Sequence, residues 1–302
     1  MQMHPSDTPK VARFSDDPDF RPYDKRNLSY AHSFDSPLKQ RIIRVMEWMT
    51  GKLKLLRRIR RFERSEKVAG QAFWPKALNA MGIAVLTPAE QIARIPATGP
   101  LIVVANHPHG LVDGMVMAEL IGRVRTDYKI LTRSLLSNIQ EITEFMIPVP
   151  FPDEEDALQK GLEMRNEAMA QLAKGGVIVL FPAGAVANAP DWFGRAVEKE
   201  WNPFTAKMIL KSGATVLPIY FPGQNSRMYQ IACHLSPTLR QGLLVHEVAS
   251  ALDKPQAPVI GQPFAREDIA KWTSNTRGFM AWMRAETLKL ADQRVGTGTS
   301  PR

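Results

Sequence analysis

The apolar positions of this chain follow two different periods. From Leu38 to Glu66, Ile42, Val45, Met49, Leu53, Leu56, Ile59 and Phe62 recur at steps of three or four, with arginines and lysines between them. That spacing predicts one apolar helix face opposite a basic one. Gly51 divides the run into two helices or a bend. Beyond it, short apolar runs alternate with longer helical patterns. Strands are expected at LIVVA (101–105), YKIL (128–131), GVIVLF (176–181), ATVLPIYF (214–221) and GLLVHEV (242–248). Helices are expected over 113–124, 135–145, 154–174 and 203–212, with a closing helix over 265–292. The third begins in an acidic run that suits the positive end of the helix dipole, and stops at Gly175–Gly176, a C-terminal signal. Buried strands alternating with helices predict an α/β domain whose largely parallel central sheet is flanked by helices.

This pattern divides the chain into four parts. Residues 1–36 are polar, carry four prolines and have no period, so they read as an extended arm. Residues 37–79 form the basic amphipathic segment, 80–292 the α/β domain and 293–302 a flexible tail.

Charge sharpens the reading of the second part. The chain carries a net charge of +9, and between Lys39 and Lys67 eleven Lys/Arg face three Glu, a local net of +8 (11 − 3). The excess sits in one element and the remainder is close to neutral. This disfavours a nucleic-acid binder and favours a docking element. As a surface helix, its apolar face would enter a lipid boundary while Arg and Lys meet anionic headgroups. The same charge would also suit an acidic carrier protein, and the plainer alternative is a helix pair packed on the domain. With one cysteine, Cys233, no intramolecular disulfide is possible. With no long apolar span and no apolar leader near the N-terminus, the expectation is a cytoplasmic protein that lies on a membrane.

The chemistry concentrates at NHPHGLVDG (106–114), between the first predicted strand and a helix. Ligands of open α/β sheets bind beyond the carboxyl ends of strands. Three readings stand. The histidines cap a turn; or His107 and His109 begin a metal site; or a histidine and Asp113 form a general base and its orienting carboxylate. The metal reading lacks further ligands, since only His4, His32, His234 and His246 remain, and Leu111 and Val112 stand where acidic and imidazole ligands would follow. No serine or cysteine nearby looks like an activated nucleophile. Direct transfer to a bound acceptor is therefore the economical form of the third reading, with N–H groups of the next helix available to a developing oxyanion.

NHPHGLVDG, then FPAGAVA (181–187), then VLPIYFPGQNSR (216–227), form an ordered set. The set resembles the glycerolipid and lysophospholipid acyltransferase family over about residues 80–262, and within it the hemolysin-like subgroup that makes ornithine-type aminolipids. That resemblance implies catalysis by His107 with Asp113, His109 being the rival base because five residues separate His107 from Asp113. It implies substrate contacts at Asn106, His109, Gly110, Phe181, Pro182, Ala183, Gly184, Pro218 and Asn225. It implies an acyl carrier protein or coenzyme A thioester as donor, no metal or organic cofactor, and a site on the cytoplasmic membrane face. Two departures bear on the acceptor. The family's Phe-Pro-Glu-Gly-Thr-Arg-Ser is here Phe181-Pro182-Ala183-Gly184-Ala185-Val186-Ala187, and IPVPF (147–151) has no arginine. Arginine forks suit phosphate, so their absence favours a lyso-aminolipid over lysophosphatidic acid. Arg133 and Arg227 are the candidates for holding a carboxylate or sulfonate head group.

Overall fold

The computed structural model describes residues 29, 31, 36–64, 68–132, 139–150 and 156–293. Most of the expected arm, the tail beyond 293 and Arg133 lie outside them. In chain order the elements are α1 (Pro37–Glu47), α2 (Leu53–Arg64), α3 (Phe73–Met81), α4 (Ala89–Ile92), β1 (Leu101–Ala105), α5 (Leu111–Gly122), β2 (Tyr128–Thr132), β3 (Met146–Pro148), α6 (Ala157–Ala173), β4 (Val177–Leu180), α7 (Pro203–Ser212) and β5 (Thr215–Tyr220). They continue with α8 (Arg227–Leu235), α9 (Pro237–Gly242), α10 (Leu244–Ala251), β6 (Val259–Ile260), α11 (Arg266–Ala270) and α12 (Thr276–Lys289). The sheet order is β3-β2-β4-β1-β5-β6, parallel except for the antiparallel β5–β6 edge. The expected α/β class and largely parallel sheet are therefore present.

β1 explains why its sequence has no polar position. It lies between β4 and β5, and its side chains alternate into two cores. Leu101, Val103 and Ala105 pack on the side of α3, α5 and α10, while Ile102 and Val104 pack with residues of α6, α7 and α12. Pro218 is tolerated in β5 by the same alternation. Thr215 points its N–H at the Pro100 carbonyl on the β1 side, whereas the Val216 and Pro218 carbonyls accept from Phe264 and Gly261 on the other. The nitrogen of Pro218 therefore faces the β6 side, where the ladder is only two residues long, and the β1 ladder is not interrupted.

Several expected elements differ. GLLVHEV is not a strand: Leu244–Ala251 is α10, and Val245, Val248, Ala249 and Leu252 bury one helical face. A run of seven residues is too short for periodicity to separate a strand from a buried helix. The described part of the 135–145 helix is a 3-10 turn over Gln140–Phe145, followed by an unforeseen edge strand, β3. The closing helix is broken into α11 and α12, with Asn275 capping the second through Gly278 N–H. The two residues of β6 are too few to read from a pattern.

The basic segment divides at Gly51, whose φ of 116° no side-chain-bearing residue adopts easily, and whose Cα backs onto Ala249. The kink changes what its apolar stripe meets. In α2, Leu55 is buried in the main core and Ile59 and Phe62 pack against it. In α1 and the turn after it, Ile43 is buried while Leu38, Ile42, Val45, Trp48 (63%) and Met49 (74%) stay exposed, as does Leu53 at the start of α2. No described helix is long and apolar enough to cross a membrane.

Candidate active site

Strand order brings the three sequence motifs together. β4, β1 and β5 are adjacent and parallel, with Val104 beside Leu180 and Ala105 beside Ile219. The residues that follow, Asn106, Phe181 and Phe221, therefore leave the sheet side by side. Asn106 is buried and binds both ways across the end of β5: its Nδ2 donates to the Phe221 carbonyl (2.8 Å) and its Oδ1 accepts from Phe221 N–H (2.7 Å). The Ala187 N–H donates to the His107 carbonyl (2.9 Å), tying the turn after β4 to the turn after β1. Gly110 has φ 77°, and a Cβ there would stand 3.3 Å from Val186.

Asp113 sits in the first turn of α5, fully buried. Its Oδ2 accepts from the N–H groups of His109 (2.8 Å) and Gly110 (3.1 Å), so it does cap the turn. Its Oδ1 is bonded to His109 Nδ1 at 3.0 Å. His107 Nδ1 also lies 3.0 Å from Oδ2, close enough for strong attraction but off the line of a hydrogen bond. The extra residue in the turn therefore does not force a choice: one carboxylate faces both histidines.

The two rings differ in what lies behind them. His107 stacks on Phe181, with centroids 4.0 Å apart and planes at 24°. His109 points Nε2 at Gly223, where a Cβ would stand only 2.8 Å away. The loop after β5 thus runs beside the far nitrogen of His109, although the two imidazoles are about equally exposed, 18% for His107 and 17% for His109. Burial alone would lower the His109 pKa, but the Asp113 charge, their hydrogen bond and Glu247 outweigh it, and the net shift is upward. Burial alone would raise the Asp113 pKa, yet the charge of His109 and the approach of His107 bring it down to about 2.

The other expected contacts scatter. Pro182 is buried and its carbonyl accepts from Asn202 N–H; Ala183 is half-buried against the second core; Gly184 turns the chain with φ 63°. Pro218 lies inside the sheet. Asn225 is buried in the loop after β5, with no partner for its Nδ2. Arg227 donates Nη1 to the Phe193 and Gly194 carbonyls, which pins that loop. The motif reading missed three acidic or basic residues. Glu198 receives the His107 N–H, Arg284 donates to the Glu198 carbonyl, and Glu247 accepts from Ser226 N and Oγ next to Asn225. Only Glu198 left a trace in the sequence, as an acid three residues before Trp201, ahead of α7. Among the described residues no group of three His, Cys, Asp or Glu side chains converges as a metal-binding set.

The Acyltransferase family model matches residues 62–246, more than half of the chain and the part that holds all three turns. The chain belongs to this acyltransferase family. Two curated relatives are lyso-glycine lipid O-acyltransferases. The one from Phocaeicola vulgatus is 23% identical over 139 residues, 46% of this chain and 47% of that protein. The one from Bacteroides thetaiotaomicron is 25% identical over 139 residues, 46% of this chain and 48% of that protein. The matched stretch is thus about half the length of each relative. Among solved structures, the 1-acyl-sn-glycerophosphate (LPA) acyltransferase PlsC of Thermotoga maritima aligns over 75% of this chain and 80% of its own, with 17% identity and a TM-score of 0.48.

Proposed function

We propose that this acyltransferase is a lyso-aminolipid O-acyltransferase, taking an acyl group from an acyl carrier protein or coenzyme A thioester. The observation that carries this reading is the buried Asp113 with a ring nitrogen of His107 and of His109 each at 3.0 Å, at the mouth of three adjacent parallel strands. His107 is the base in this reading, because it keeps the Asn–His pairing of the related motif and the loop at Gly223 runs beside Nε2 of His109. Asp113 holds the His107 ring with Nδ1 inward, so Nε2 faces the acceptor. As the acceptor hydroxyl oxygen attacks the thioester carbonyl, its proton passes to His107 Nε2. The tetrahedral intermediate collapses with loss of thiolate, which takes the proton from His107 and leaves as thiol. The chemistry requires no metal or organic cofactor, and chelators are expected to leave it unchanged.

Two observations favour an amino-acid head group over a phosphate. The turn after β4 (181–187) has no arginine, and Arg227 commits Nη1 to two loop carbonyls. The two relatives named for lyso-glycine lipid, whose head group carries a carboxylate, support the same choice. The exposed stripe of α1 beside its lysine and arginines supports peripheral attachment to an anionic membrane, on the cytoplasmic face. Lipid profiling of cells with and without the protein tests the assignment. The expected result is loss of an aminolipid and accumulation of its lyso form. Accumulation of lysophosphatidic acid instead would contradict the head group, and an unchanged lipidome would contradict the activity.

A further inference from the structure

Glu198 lies outside the three motifs, yet it touches the proposed base. It is buried at 6% exposure, and both of its carboxylate oxygens are engaged. Oε2 accepts from the His107 N–H at 3.1 Å and Oε1 from Trp201 Nε1 at 3.0 Å. Its own carbonyl accepts from Nη2 of Arg284 on α12. With the Ala187 N–H on the His107 carbonyl, the backbone of His107 is held on both sides by the segment that follows β4. An N–H group needs only a neutral acceptor. Burying a carboxylate for it is costly, and burial indeed pushes the Glu198 pKa up, against the pull of Trp201 and His107.

We propose that Glu198 is the positioning residue for His107, acting from outside the three motifs. The proposal rests on the acyl-transfer reading for its catalytic consequence. It places two carboxylates on the one histidine: Asp113 at the ring and Glu198 at the backbone. Glu198 fixes where the ring begins, Phe181 limits its tilt from one face, and Asp113 sets its rotation. Trp201, just before α7, and Arg284 on α12 in turn fix Glu198, so these two segments brace the turn after β1 through it. Both carboxylates also favour the imidazolium that forms during transfer.

The test compares Glu198→Ala with Glu198→Gln in the full chain. The glutamine keeps one acceptor oxygen for the His107 N–H, turns its amide NH2 toward Trp201 Nε1, and removes the charge. Displacing a catalytic group by about 1 Å costs on the order of 100-fold. Glu198→Ala is therefore expected to lower kcat by roughly 10- to 100-fold, with KM for donor and acceptor nearly unchanged, and Glu198→Gln to recover part of that loss. The His107 backbone amide signal in NMR of the labelled protein, without substrate, reads the same contact independently. A bond to a carboxylate moves an amide proton downfield, so in Glu198→Gln the His107 amide signal is expected to move upfield while the Asn106 side-chain signals stay put. A folded Glu198→Ala protein with wild-type kcat, or a loss confined to KM, would overturn the proposal, as would an unmoved His107 amide signal. If the wild-type protein transfers no acyl group, the enzymatic reading fails by itself and the amide signal alone decides the role of Glu198. If Glu198→Ala does not fold, the near-isosteric Glu198→Gln carries the test.

Discussion

The turns after β1 and β4 stand side by side, and they are built in opposite ways. The first holds nearly all the polar chemistry of the site: Asn106, two histidines and a buried carboxylate that meets them both. The second contributes an aromatic face, a turn glycine and small apolar side chains, and it meets the first through the Phe181 ring on the His107 imidazole and the Ala187 N–H on the His107 carbonyl. The difference separates two tasks. Proton transfer needs groups fixed within a few tenths of an ångström, and these sit on the rim of the most buried strand. Substrate recognition tolerates variation, and the turn after β4 is where the polar side chains of the related pattern have gone.

Substitutions can break this contrast. The largest effect is expected at the first turn. His107→Ala removes the base and should lower kcat by roughly 1,000-fold, within the span of general-base contributions, with thermal stability nearly unchanged. Next is Gly223→Ala, which meets both a positive φ of 100° and the His109 ring at 2.8 Å. It should cost about 1–3 kcal/mol of stability and, by pushing His109 against Asp113, roughly 10-fold in rate. Thermal melts and steady-state rates on the same samples check both. Phe181→Leu keeps an apolar wall without the stacked ring. Its loss is expected to be a few-fold, and a loss as large as that of His107→Ala would erase the contrast between the turns.

Ionisation gives a subtler prediction. Asp113 has a folded pKa lowered to about 2 from 3.8, so its stabilisation is present above the ordinary value and lost as pH falls toward 2. His109 has a raised folded pKa, so its stabilisation is complete below 6.5 and lost as pH rises through the folded value. Melting temperature against pH should therefore be highest between about 4 and 6.5 as far as these two groups decide it. His109→Ala should flatten the alkaline side of that profile; an unchanged profile would mean that the His109–Asp113 contact contributes nothing.

The sheet was legible where strands were long and apolar, as in LIVVA, because a central strand buries both faces and excludes polar residues. It was not legible at β3 and β6, which are too short for any period, or at α10, whose apolar run satisfies both a buried strand and a buried helix. The basic segment is the instructive case. Its sequence predicted an apolar stripe and a break at Gly51, and both are present. The stripe could not say what covers it: α2 turns its share into the core, while α1 leaves Ile42, Val45 and Met49 exposed. Val45→Glu should accordingly leave the melting temperature unchanged and weaken binding to anionic vesicles. Leu55→Glu should unfold the protein instead. At the site, spacing left the choice between His107 and His109 open because what distinguishes the two rings lies in the loop after β5. Gly223 backs one histidine and not the other, a contact between residues far apart in sequence. Glu198 was missed for the same reason.

The central claim is that His107 carries the proton and His109 supports it. The direct test is single-turnover acyl transfer from an acyl thioester to a lyso-aminolipid by wild-type, His107→Ala and His109→Ala proteins, with thiol release and diacyl product both measured. The account predicts rapid transfer by the wild type, transfer slowed by roughly 1,000-fold with His107→Ala, and a much smaller loss with His109→Ala. Full activity of His107→Ala, or a dead His109→Ala beside an active His107→Ala, would contradict it.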